Sequence, residues 1–132
     1  MSLSSLDYLR MSLDRKQLFA APDQELHSYA PTEGLCEVIQ RLIDSGVRNR
    51  VLHYGGLTKI TFLEMAQLFA KRFGFESNIV AAPRVLNFGK GQVNNSADFS
   101  LNSTQLTDLL KIKPFLLEES FDLIEKQLVT RF

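Results

Sequence analysis

Tryptophan is absent from this chain, and cysteine, histidine and proline are scarce: one Cys, two His and four Pro in 132 residues. A single thiol, Cys36, cannot close an intramolecular disulfide, and it excludes a cysteine-rich zinc site. His27 and His53 lie far apart with no HxxH spacing, so no metal is expected. An excess of either charge is also missing, because fifteen Lys+Arg balance fifteen Asp+Glu. A neutral chain exerts no bulk pull on polyanions, which excludes a general nucleic-acid or anionic-membrane binder and leaves room for a local basic pocket. No apolar run approaches the ~18 residues of a membrane span. Residues 1–14 lack the charged start and apolar core of a secretion signal. The two sites of glycosylation type, Asn94-Asn95-Ser96 and Asn102-Ser103-Thr104, are then chance matches, and the expected compartment is the cytoplasm.

What is present is ordinary globular composition, with 45% hydrophobic and 23% charged residues, and a length that suits one domain over residues 1–132. Met1-Ser2-Leu3 has the look of an artificial start. Leu6, Leu9 and Leu13 recur at helical spacing, which predicts a helix over 4–14. Gln17 to Ala20 predicts a brief strand, followed by a loop at 21–24. Pro31-Thr32 opens a second helix whose buried stripe is Leu35, Val38, Ile39, Leu42 and Ile43, stopped by Gly46. Arg50 to Tyr54 predicts a strand ended by Gly55-Gly56. Thr61-Phe62-Leu63-Glu64 is a capping box leading a helix with Phe62, Met65, Ala66, Phe69 and Phe73 inward, ended by Gly74. Ile79 to Ala82 predicts a strand, and 84–97 a long polar loop. Asn102 caps a short helix with Leu106, Leu109 and Leu110, and Leu117 to Val129 closes the chain as an amphipathic helix.

The expected fold class is therefore α/β: a small helix-rich domain of about five helices and three or four short strands. So little sheet cannot cover so many apolar helix faces, which implies that part of the core partner lies outside this chain.

Catalytic signatures are missing. There is no GxGxxG or GxxxxGK[ST] phosphate loop, no GxSxG elbow, and no lysine four residues after Tyr8, Tyr29 or Tyr54. His53 reads as a structural strand histidine, and Cys36 as a half-buried helix residue without an electropositive setting. Glu118, Glu119 and Asp122 read as a solvated helical face, and Lys71-Arg72 as partners of a helix C-terminus. Two candidates remain. His27 and Ser28, placed at a loop-to-helix entrance, can make polar ligand contacts. Arg84, Lys90, Gln92, Asn94 and Asn95 in the polar loop combine cations that hold phosphates with carboxamides that read a base or sugar hydroxyls.

The order of these segments resembles the extended short-chain dehydrogenase/reductase family. Asp23-Gln24-x-x-His27-Ser28-Tyr29-Ala30-Pro31-Thr32 is similar to its "DQ…SPT" stretch ahead of a helix. Arg50-Val51-Leu52-His53-Tyr54-Gly55-Gly56 is similar to its "YH-x-SGG", and Thr61 to Gly74 to its "S-x-x-E-x-A…G" helix. Asn94 to Leu106 resembles "RP-x-(D/N)-x-x-LD-x-x-KL". The nearest type is the dTDP-4-dehydrorhamnose reductase group, with sugar-nucleotide epimerases and dehydratases as cousins, and the resemblance runs from about Leu13 to Leu128.

The resemblance implies a C-terminal substrate-binding part of a Rossmann-type enzyme. The dinucleotide fingerprint and the Tyr-x-x-x-Lys pair would belong to an N-terminal Rossmann domain absent from this chain, which would be the missing core partner. It also implies no cofactor in this chain, NAD or NADP in the parent enzyme, and a nucleoside-diphosphate sugar as ligand. His27, Ser28, Arg84, Lys90, Asn94 and Asn95 would be substrate contacts, none of them a chemical catalyst, and the isolated chain would not turn over. The pattern departs in places. His27 stands where related epimerases carry a diphosphate-binding arginine, Asn102 replaces the aspartate of "LD", Gln105 the lysine of "KL", and Val93, Asn94 and Asn95 occupy the neighbourhood of the family's Arg-Pro, so Arg84 and Lys90 are candidate substitutes for its arginine. A different class competes: a stand-alone, non-catalytic interaction module that uses its apolar surface to bind a partner or itself. A small α/β domain with coincidental similarity is the third reading.

Overall fold

In the computed structural model the described residues are 4–83 and 97–130, the side chains of residues 129 and 130 excepted. In chain order the elements are α1 (Ser5–Asp14), β1 (Phe19–Ala20), β2 (Glu25–Ser28), α2 (Thr32–Ser45), β3 (Lys59–Thr61), α3 (Phe62–Arg72), β4 (Val80–Ala81), β5 (Ala97–Asp98), α4 (Thr104–Leu110) and α5 (Leu117–Thr130). A 3₁₀ turn at Ser77–Ile79 precedes β4. This is a small mixed α/β architecture, with five α-helices and short strands of two to four residues among the described residues. β3 and β5 flank β2 in one sheet, and β1 and β4 form the other. The chain divides into two compact units, residues 1–26 with 60–98 and residues 27–59 with 99–132.

In the first unit, α1 starts where sequence dictates. Ser4 Oγ accepts from the Asp7 amide at 3.2 Å, and the Asp7 carboxylate accepts from the Ser4 amide at 3.0 Å. That reciprocal cap satisfies two of the amides a helix start leaves open. Leu9 and Leu13, four residues apart, are both buried. β1 and β4 pair in parallel, Phe19 with Val80 and Ala20 with Ala81. α3 repeats the capping box, with Thr61 Oγ1 accepting from the Glu64 amide at 3.2 Å and Glu64 returning to the Thr61 amide at 3.0 Å. It buries Met65, Ala66, Phe69 and Ala70 and ends at Gly74, whose φ of 78° only glycine adopts freely. Gln67 Nε2 donates to the Val80 carbonyl at 3.3 Å and ties α3 to β4.

The second unit is built on α2 and α4. Val38, Leu106, Leu110 and Ile112 form its core, and Leu42, Leu52, Tyr54 and Leu109 pack against them. Gly46 ends α2 with φ 67°. α5 buries Leu117, Ser120 and Phe121, and its first amide, on Leu117, donates to Thr58 Oγ1 at 3.0 Å.

Several expectations are corrected. Arg50 to Tyr54 is not a strand. Its alternation survives, with Leu52 and Tyr54 half-buried and Val51 80% exposed, but no neighbouring strand pairs with it among the described residues. Alternation alone does not make a strand without a ladder partner. The strands at 25–28 and 59–61 were not expected, because Glu-Leu-His-Ser and Lys-Ile-Thr are too short to show a period. The predicted stripe of α2 is buried only at Val38. Leu35, Ile39 and Ile43 are 47%, 49% and 71% exposed. Cys36 is exposed rather than half-buried.

Candidate functional site

The cluster that gathers the sequence candidates lies wholly in the second unit, where three stretches meet: the end of β2, the Gly55-Gly56 pair, and residues 99–103. Their approach is close enough to require glycine. A Cβ on Gly55 would come within 2.8 Å of Ser28 Cβ, and one on Gly56 would overlap the Tyr29 carbonyl oxygen. The Gly56 amide donates to the Ser28 carbonyl at 3.4 Å. Ser28 Oγ accepts from the Leu101 amide at 3.0 Å. Ser103, almost fully buried, ties itself twice to Gly55: its Oγ accepts from the Gly55 amide at 2.9 Å and donates to the Gly55 carbonyl at 3.0 Å.

β2 carries His27 as well. Glu25 pairs with Ala97 and Leu26 with Asp98 in parallel register. Parallel pairing brings residues of equal step side by side, so the next step sets His27 beside Phe99. Their rings lie 5.7 Å apart and 20° from parallel. Tyr29 meets the other flank of His27 at 5.9 Å with a 45° tilt. The result is a row of three rings, Tyr29, His27 and Phe99, in which His27 and Tyr29 are half-buried and Phe99 is 56% exposed.

The structure thus brings His27 and Ser28 together at the end of a strand rather than in the loop-to-helix entrance expected. Ser28 Oγ, by accepting from the Leu101 amide, holds the Phe99–Leu101 stretch in place. Arg84, Lys90, Asn94 and Asn95 lie outside the described residues. Sequence reasoning missed Phe99, Tyr29 and Ser103. The Gly-Gly pair was the available signal for a tight backbone crossing, but nothing in the sequence says which serine closes it. Asn102 does serve the start of α4, its carboxamide accepting from the Thr104 amide at 2.9 Å. That leaves Ser103, the residue at the cap position, free to bond Gly55.

Other surfaces offer less. An open groove of ≈ 620 Å³ runs along α2 and α4, lined by Glu37, Gln40, Arg41, Asp44 and Leu109 among others. Arg41 pairs with Glu37 at 3.1 Å, and Gln40 donates to the Asp44 carboxylate at 3.2 Å. Among the described residues no three His, Cys, Asp or Glu side chains could hold a metal ion. No described helix is long and apolar enough to cross a membrane. The helix starts of α2 and α3 carry Glu33 and Glu64 in their first turns, carboxylates where a pyrophosphate needs free amides and glycine.

Comparison with protein-family models and with curated proteins finds no match to this chain.

Proposed function

We propose that this chain is the substrate-binding portion of an NAD(P)-dependent sugar-nucleotide reductase or epimerase, of the extended short-chain dehydrogenase/reductase type and nearest to the dTDP-4-dehydrorhamnose reductases. One observation supports the reading above others. Three of the stretches that resemble that family (Asp23–Thr32, Arg50–Gly56 and Asn94–Leu106) are far apart in sequence, and hydrogen bonds from Ser28, Gly55, Gly56, Leu101 and Ser103 join them at one place. In such an enzyme the nicotinamide exchanges hydride with a keto-sugar carbon. This chain contributes binding and orientation, which convert a loose encounter into a near-unimolecular reaction. His27 lies in the joined cluster, with Ser28 fixing its neighbours, and Arg84, Lys90, Asn94 and Asn95 are proposed as further contacts to the diphosphate and sugar. The proposed parent carries the Rossmann domain and the cofactor. Calorimetric titration with UDP-glucose and dTDP-glucose tests the reading. Saturable binding is expected, with no turnover when NADPH is added. Absence of saturable binding to any nucleoside-diphosphate sugar sinks it.

The second reading, a stand-alone interaction module derived from that fold, is favoured by a separate observation. Leu35, Ile39 and Ile43 form an exposed apolar row on α2, a surface of the kind that marks contact with a partner or a second copy. Sedimentation of the chain across a range of concentrations, combined with the same titrations, separates the two. Self-association without sugar-nucleotide binding selects the module.

A further inference from the structure

We infer that the exposed ring of Phe99 is a stacking platform for the base of a nucleotide, an assignment that rests on the sugar-nucleotide reading above and adds the position of one part of the ligand. A lone exposed phenylalanine needs no explanation, since apolar atoms make up much of any protein surface. Phe99 differs in being held. On one side it lies nearly parallel to His27, 5.7 Å away. His27 is in turn packed against Tyr29, so the row of rings cannot readily turn aside. Two residues on, the backbone is pinned by the hydrogen bond from the Leu101 amide to Ser28 Oγ. Ser103 then fastens the same stretch to Gly55. Phe99, at the end of this aromatic row, is 56% exposed.

Such a ring suits a flat heteroaromatic guest. Aromatic faces attract one another in offset-parallel stacks, and every nucleobase offers a π-face, so stacking on a side chain is tolerant of base identity. A phosphate gains nothing comparable from this apolar surface, and the glucose 1-phosphate arm of the test below separates a sugar's contribution from a base's. Affinity at Phe99 therefore follows the presence of a base rather than which base it is, and uridine, thymidine and adenosine derivatives all engage the ring.

The test titrates the chain with UDP-glucose, uridine 5′-monophosphate and glucose 1-phosphate, comparing the unaltered protein with Phe99→Ala and Phe99→Tyr. Circular dichroism confirms that each variant folds, which the exposure of this side chain makes the expected result. Phe99→Ala should weaken UDP-glucose and the monophosphate by about tenfold or more, the range of one lost base stack, and leave glucose 1-phosphate unchanged. Phe99→Tyr, which keeps the ring, should restore binding. Saturation transfer from the protein should be strongest on the base protons and disappear in Phe99→Ala. UDP-glucose binding that is equal in all three proteins overturns the platform and leaves the proposed function standing. Binding of the monophosphate through Phe99 with no added affinity from the sugar supports the platform and overturns the sugar-nucleotide reading. No binding of any probe to the unaltered chain overturns both.

Discussion

Ser103 and Gly55 exchange two hydrogen bonds through one hydroxyl, which accepts from the glycine amide at 2.9 Å and donates to its carbonyl at 3.0 Å. Both partners are buried. Removing the hydroxyl strands two backbone groups that water cannot easily reach, and each buried unsatisfied group costs about 1–3 kcal/mol. Ser103→Ala should therefore lower the thermal midpoint by several degrees in a circular dichroism melt. Asn102→Ala removes one exposed cap contact to the Thr104 amide and should cost about 1 kcal/mol at most. Equal effects of the two substitutions would contradict the assignment of Ser103 as the central tie.

Gly34 faces a different constraint. It sits inside α2, where alanine has the better intrinsic propensity by roughly 1 kcal/mol. Yet a Cβ there would overlap the Tyr54 hydroxyl and come within 3.0 Å of the Phe115 ring. Overpacking outweighs propensity, so Gly34→Ala should destabilise by about 1–3 kcal/mol in urea unfolding. Tyr54→Phe deletes the obstructing oxygen. The double variant should recover part of the loss, giving a coupling of at least about 0.5 kcal/mol. Additive effects would show that the two residues do not meet.

Tyr54 also carries a pH signature. Burial, and secondarily the nearby Glu37 carboxylate, hold its hydroxyl above the ordinary value of 10.0. The folded state then keeps a proton that the unfolded chain releases as pH rises through about 10. With more protons bound in the folded than in the unfolded state, stability falls with rising pH in that window. Below it the residue contributes no pH dependence. Urea midpoints measured at pH 8.5 and pH 10.5 should drop more for the unaltered chain than for Tyr54→Phe. Parallel drops would assign the alkaline loss to other groups.

Local chemistry made much of this fold legible in advance. The leucine spacing of α1 and the capping box of Thr61 with Glu64 depend on residues three or four apart, and α3 runs almost as its pattern of Phe and Met predicts. Glycines 46 and 74 end helices because left-handed backbone is cheapest for them. The strands were harder, since pairing partners such as Glu25 and Ala97 lie 72 positions apart (97 minus 25), and two to four residues show no period. The site was partly legible. The order of motifs pointed to His27 and Ser28, but Phe99 and Ser103 matter only through the β2–β5 register and the Gly55 crossing, neither of which has a local signature. α2 failed for another reason. Its apolar residues span more of the helix circumference than α4 covers, and periodicity cannot say which of them find a partner within the chain.

That last point has a direct energetic test. On one helix, Val38 is 3% exposed and belongs to the core with Leu106 and Leu110, while Ile43 is 71% exposed. A buried branched side chain cut to alanine loses its transfer energy and leaves a cavity, about 2 kcal/mol for Val38→Ala. Ile43→Ala removes more carbon but little of it is buried, so its cost should stay within about 0.5 kcal/mol. Differential scanning of the two variants at low concentration should show a clear shift for the first and almost none for the second. At high concentration the comparison becomes more informative. If the row of Leu35, Ile39 and Ile43 meets a second copy, Ile43→Glu weakens sedimenting oligomers while leaving the dilute midpoint in place, because it touches association and not the core. A large dilute-state loss for Ile43→Ala would instead mean that the row is already covered within one chain, and the case for an external partner on α2 would end there.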